Sequence, residues 1–164
     1  MRAPVLLPVL AATLVLAPPA WAPPEAGILV PGVSLGGVEL GMTRADVTRA
    51  WGARHGVCRG CPAATWYFNL RPFEPQGAGV VFRRNRVAHA FTLWKPVGWR
   101  TAEGLALGAS AAEAEDANAI LETRECAGYT ALVAAGEPAS TVYYVYRDEL
   151  WGFGLTRPGA DPCL

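Results

Sequence analysis

The sequence is short of the groups that catalysis and nucleic-acid binding need. Lys95 is its single lysine, and His55 and His89 are its only histidines. Imidazole bases are therefore confined to two positions. The serines are Ser34, Ser110 and Ser140, and none lies in a nucleophile-elbow sequence. Paired carboxylates, a phosphate loop and a dinucleotide fingerprint are all missing. Neither sign of charge is in excess, with 14 Lys plus Arg against 14 Asp plus Glu, so no basic face points to nucleic acid. Arg83, Arg84 and Arg86 cluster, and a solvated hairpin tip accounts for them. Long apolar runs are lacking too. The longest, Val5 to Ala17, is 13 residues and contains Pro8, whereas a spanning helix needs about 20.

What is there begins with an export signal over residues 1–22. Arg2 precedes the apolar run, and Ala20-Trp21-Ala22 has the small-x-small pattern of a cleavage site, with Pro23 after it. No cysteine near the cut offers a lipid-anchor site, and no stable membrane span is expected after signal removal. The remainder suits one domain, or two fused subdomains each too small to be comfortable alone. Its four cysteines, Cys58, Cys61, Cys126 and Cys163, form an even set in an exported chain and read as disulfides. Three pairings are possible. Cys58–Cys61 with Cys126–Cys163 is favoured, because the second bond would tie down the C-terminal tail and contribute about 3–4 kcal/mol. Cys58–Cys126 is the rival. His55-x-x-Cys58-x-x-Cys61 has zinc-like spacing but lacks a fourth ligand, and Cys58-Arg-Gly-Cys61 has a redox spacing without the helix start that would stabilise a thiolate. No metal or cofactor is expected.

An internal repeat organises the chain. Residues 37–46, Gly-Val-Glu-Leu-Gly-Met-Thr-Arg-Ala-Asp, return without a gap at 104–113 as Gly-Leu-Ala-Leu-Gly-Ala-Ser-Ala-Ala-Glu. Thr43 and Ser110 are good helix N-caps, each with an acid three residues on, Asp46 and Glu113. The first helix is expected to end at Trp51 before Gly52, and the second to be longer, running through Ile120 and Leu121. Strands are expected at 65–70, 79–84 and 86–94, and again at 129–133, 141–147 and 149–156, with hairpin turns at Arg84-Asn85 and Arg147-Asp148. The expected division is an extended lead-in over 23–32, repeat one over 33–99, and repeat two over 100–164 with its tied tail. The expected fold is α+β: two tandem helix-plus-three-strand repeats forming an antiparallel sheet with helices packed on one face.

Residues 40–52, Leu-Gly-Met-Thr-Arg-Ala-Asp-Val-Thr-Arg-Ala-Trp-Gly, resemble the helix opening of the SmpA/OmlA-like outer-membrane assembly lipoproteins. The tandem copies make the chain similar to β-lactamase inhibitor proteins. The resemblance implies an antiparallel sheet with helices on one face and a binding-capable other face. It carries no particular target over to this chain.

Strict alternation along the second hairpin places Tyr144, Tyr146, Trp151, Phe153 and Leu155 on one face, and Tyr143, Val145 and Leu150 on the other. Repeat one carries smaller residues at the matching face. Tyr144, Tyr146, Trp151 and Phe153 are therefore the candidate binding residues, since Tyr and Trp dominate contact energetics. The competing account is that these rings are core. The function expected is an exported, non-enzymatic binding protein whose partner is a protein or cell-wall material. The alternatives are a thiol–disulfide redox protein using Cys58 and Cys61, and a purely structural envelope protein.

Overall fold

The computed structural model describes residues 27–69, 76–118 and 121–164. The expected signal segment 1–22 and residues 23–26 of the expected lead-in lie outside these residues. Among the described residues, twelve strands and two helices follow one another. They are β1 Ile28–Val30, β2 Ser34–Leu35, β3 Val38–Glu39, α1 Arg44–Trp51, β4 Gly56–Val57, β5 Ala64–Asn69, β6 Gly77–Arg83 and β7 Arg86–Leu93, then β8 Arg100–Thr101, α2 Ala111–Asp116, β9 Leu121–Glu125, β10 Thr130–Ala134, β11 Ser140–Tyr146 and β12 Glu149–Thr156.

The expected α+β architecture of two helix-plus-three-strand repeats is overturned. The described residues are mostly strand, in one sheet of eight and one of four, and the helices have only eight and six residues. The large sheet runs β4-β5-β6-β7-β12-β11-β10-β9 and the small one β3-β2-β1-β8. The expected long second helix fails for a local reason. The helix is capped at Ala117, where the Asn118 side-chain amide donates to the Ala114 carbonyl at 2.8 Å, and Leu121–Glu125 pairs as an edge strand with β10 instead. The small sheet is made of two- and three-residue strands, too short to show alternation in the sequence.

Local chemistry sets the helix starts. Thr43 Oγ1 accepts from the Asp46 amide, and the Asp46 carboxylate accepts in return from the Thr43 amide at 2.9 Å. Ser110 and Glu113 repeat this capping box. These bonds hold both carboxyls below their usual range, Asp46 chiefly through the Thr43 hydroxyl and Glu113 chiefly through the Ser110 amide. The β6–β7 and β11–β12 hairpins turn on Arg84-Asn85 and Arg147-Asp148, all four at positive φ between 50° and 64°, the handedness that matches strand twist.

Two β-bulges decide which residues face the core. In β6–β7, Val81 pairs with His89 but Phe82 with Val87, so Ala88 is the extra residue. In β11–β12, Tyr144 pairs with Gly152 but Val145 with Leu150, so Trp151 is extra. One inserted residue reverses the facing of everything beyond it. Strict alternation therefore fails here. Phe153 and Leu155 join Tyr143, Val145 and Leu150 in the main core, while His89 and Phe91 turn to the opposite face with Tyr144 and Trp151.

The main core lies between the large sheet and a layer made of the small sheet, α1 and α2. Leu29, Leu35, Val38, Val47, Trp99 and Ala114 meet Phe68, Val80, Phe82, Val87, Tyr143 and Leu150 there. Trp51 is its centre: it has no exposed surface, meets Phe68 and Trp99 edge-on at 5.2 and 6.5 Å, and donates its indole N–H to the Gly36 carbonyl at 2.9 Å. Trp51→Ala should cost about 3–5 kcal/mol, read as a lower urea midpoint. An unchanged midpoint would mean this layer does not close the core.

Candidate functional site

The second face of the large sheet carries aromatic rings in an unbroken row. From β7 to β12 and across, ring centroids are 5.8 Å apart for Trp94–Trp151, 5.7 Å for Trp151–Tyr144 and 6.5 Å for Tyr144–His89. The row continues through His89–Phe91 at 5.4 Å to Phe91–Tyr67 at 6.3 Å. Glycine makes room for it. A Cβ on Gly154 would lie 2.7 Å from the Tyr144 hydroxyl, and one on Gly79 would lie 2.4 Å from the Phe91 ring.

One end of this row is open. Trp94, Tyr129, Tyr146 and Trp151 line a cleft of about 790 Å³, with Lys95, Arg147 and Glu149 among its other walls. Trp94 is 58% exposed and Tyr146 43%. Trp151 reaches this face because it follows the inward-facing Leu150, and the bulge at Trp151 turns Phe153 inward behind it. Trp94 stands out because Trp94 and Lys95 both have positive φ, 56° and 47°, which is uncommon for bulky residues and costs about 1–3 kcal/mol each. The Lys95 amide donates to the Trp151 carbonyl at 2.8 Å, and the Lys95 ammonium pairs with the Glu149 carboxylate. That ion pair is solvent-exposed and contributes at most about 1 kcal/mol, so the backbone bond is the main restraint. The Arg147 guanidinium lies over the Tyr146 ring at 5.1 Å.

The four candidate residues are thus divided. Tyr146 and Trp151 line the cleft, whereas Tyr144 and Phe153 have no exposed surface. Phe153 packs edge-on against Tyr143 in the main core. Trp94, Lys95 and Tyr129 were missed by sequence reasoning. Trp94 reads as the end of a strand, and nothing in the sequence signals its left-handed backbone.

The middle of the row is buried. The His89 Nε2 and the Tyr144 hydroxyl are 2.7 Å apart, and that hydroxyl lies 3.1 Å from the Pro162 carbonyl. A neutral imidazole with its proton on Nε2 donates to Tyr144, which in turn donates to Pro162, so both contacts are satisfied. Burial pushes the Tyr144 phenol well above its ordinary range and lowers the imidazole to about 4, with Asp161 opposing part of that shift. His89 also borders a second cleft of about 550 Å³, together with Tyr67, Arg83, Asp161 and the half-buried Cys61 and Cys163.

The cysteines pair as Cys58–Cys61 and Cys126–Cys163, the bonds of a chain from an oxidising compartment. Cys58–Cys61 closes the loop between β4 and β5, where the Cys58 amide donates to the Thr65 carbonyl at 3.0 Å. No helix start lies beside it among the described residues, so the field that would stabilise a thiolate is missing. His55, the third member of the zinc-like pattern, lies flat on Trp66 with centroids 3.7 Å apart, and desolvation lowers its pKa.

No family model matches the chain. No curated protein matches it in sequence. In fold it is similar to an extracellular protein containing a SCP domain from Bacillus anthracis str. Ames, solved at 1.5 Å resolution, with a TM-score of 0.52 at 11% identity over 72% of this chain. The match covers 44% of that neighbour's length, and at this identity the likeness is one of fold alone.

Because the folded imidazole titrates near 4 and the ordinary one near 6.5, the unfolded chain binds more protons between these values. Stability linked to His89 is complete above about pH 6.5 and falls as pH drops toward 4, by about 3 kcal/mol. His89→Gln should remove this part of the acid dependence in urea titrations from pH 7 to 4. Equal slopes for the two proteins would show that His89 is not held neutral by the fold.

Proposed function

We propose that the chain is an exported, non-enzymatic binding protein whose contact surface is the aromatic cleft at the β7–β12 seam. Its partner is a protein or cell-wall material. The observation that carries this reading is Trp94, an exposed indole held over the cleft by two consecutive left-handed residues. Backbone strain that packing does not repay is commonest at ligand-contact sites, and rigid Trp and Tyr side chains give contact area at low entropic cost. The two disulfides support export, as does the fold's likeness to an extracellular protein. The resemblance to the assembly lipoproteins and inhibitor proteins points the same way.

The test is retention of the purified chain on insoluble cell-wall peptidoglycan, alongside affinity capture from an envelope extract. Trp94→Ala and Tyr146→Ala, at exposed positions, should leave the unfolding free energy from urea titration within about 0.5 kcal/mol of the parent. Each should weaken retention on the true partner by up to about 30-fold, the scale of an interface hot spot. Retention that both variants share with the parent would contradict the cleft as the contact surface.

A further inference from the structure

The buried middle of the aromatic row is covered by the chain's own last residues. Beyond Thr156, the end of β12, residues 157–164 cross the face of β11 and end against the β9–β10 turn. Two hydrogen bonds tie this segment to the sheet face. The Tyr144 hydroxyl donates to the Pro162 carbonyl, and the Leu164 amide donates to the Tyr129 hydroxyl. Residues 157–161 are exposed and Pro162 alone is buried, and no strand pairing is made along the segment. So few contacts give low local stability. The restraint that remains is Cys126–Cys163, both half-buried and open to exchange at the surface.

We propose that residues 157–164 form a disulfide-held strap that shortens the binding face, and that opening Cys126–Cys163 extends it from the Trp94 cleft to Tyr67. This rests on the reading of the Trp94 cleft as the contact surface. With the strap in place, the rings accessible from the Trp94 cleft stop at Tyr129 and Trp151. With it lifted, Tyr144, His89 and Phe91 join them, and the two clefts on either side of the strap become one groove. The chemical step is thiol–disulfide exchange with the dithiol of an extracytoplasmic exchange protein. The sulfur–sulfur bond breaks, two electrons and two protons pass to the cysteine sulfurs, and the reductant leaves as its own disulfide. Cys58–Cys61 lies across the second cleft and is not part of the latch.

The experiment uses the full mature chain and Cys126→Ser/Cys163→Ser, which keeps Cys58–Cys61. Amide hydrogen exchange is followed by mass spectrometry, the His89 imidazole by NMR, and the exposed apolar face by binding of the dye ANS. The strap predicts at least 30-fold faster exchange at the hydrogen-bonded Cys163 and Leu164 amides, a His89 titration that moves up from about 4, and new ANS binding, with β6, β7, β11 and β12 still protected. A strap that stays protected would overturn the proposal, and so would a variant that unfolds throughout. If the variant does not accumulate, folded parent treated with dithiothreitol is read the same way, with the same two overturning results. No cleft ligand enters the measurement, so failure of the strap and failure of the Trp94 cleft as a contact surface are told apart.

Discussion

The pairing of β7 with β12 is the constraint on which the rest of the molecule depends. It is short, with Phe91 opposite Gly154, Ala90 opposite Leu155 and His89 opposite Thr156. The Thr92 hydroxyl extends it by accepting from the Phe153 amide at 2.8 Å. Without this seam there would be two separate half-sheets, each with an open edge and too little core to persist alone. With it, one eight-stranded sheet has a continuous inner face for the core and a continuous outer row of rings. The seam also brings Trp94 to Trp151 and His89 to Tyr144, residues that lie 57 and 55 positions apart in the sequence.

The two faces are stabilised differently. The inner face is closed by large apolar side chains from every layer, with Trp51, Trp99, Phe68 and Phe153 among its fully buried residues. The outer face relies on glycine. Gly79 and Gly154 let rings lie flat on the strands, and a polar chain from His89 through Tyr144 to Pro162 satisfies the groups buried under the tail. Such a chain is sensitive to its last member, because removing one partner leaves a buried polar group unmade. That is why the C-terminal eight residues matter more to this face than their few contacts suggest.

Much of the local structure was legible from residue chemistry. Thr43 with Asp46 and Ser110 with Glu113 mark helix starts, Arg84-Asn85 and Arg147-Asp148 mark hairpins, and the cysteine pairing follows the favoured arrangement. The fold class was not legible, because it depends on pieces with no periodic signal: two-residue strands, an edge strand of mostly charged residues at Leu121–Glu125, and a helix that stops after six residues. The site was half legible for a related reason. Period-two reasoning holds only while the register is unbroken, and one inserted residue at Trp151 sent Phe153 into the core while leaving Tyr146 and Trp151 at the surface. A bulge leaves no mark on composition. It is set by how the partner strands pack.

The central claim is that contact with the partner is made at the seam, by the rings that β12 and the left-handed Trp94-Lys95 pair present. The indole N–H signals of the protein test it most directly, followed by NMR as soluble peptidoglycan fragments and, separately, fractionated envelope proteins are added. The account predicts that with one of these the signals of Trp94 and Trp151 shift, while those of Trp51 and Trp99, buried on the inner face, stay in place. Shifts confined to the inner-face tryptophans, or binding that moves neither Trp94 nor Trp151, would contradict it.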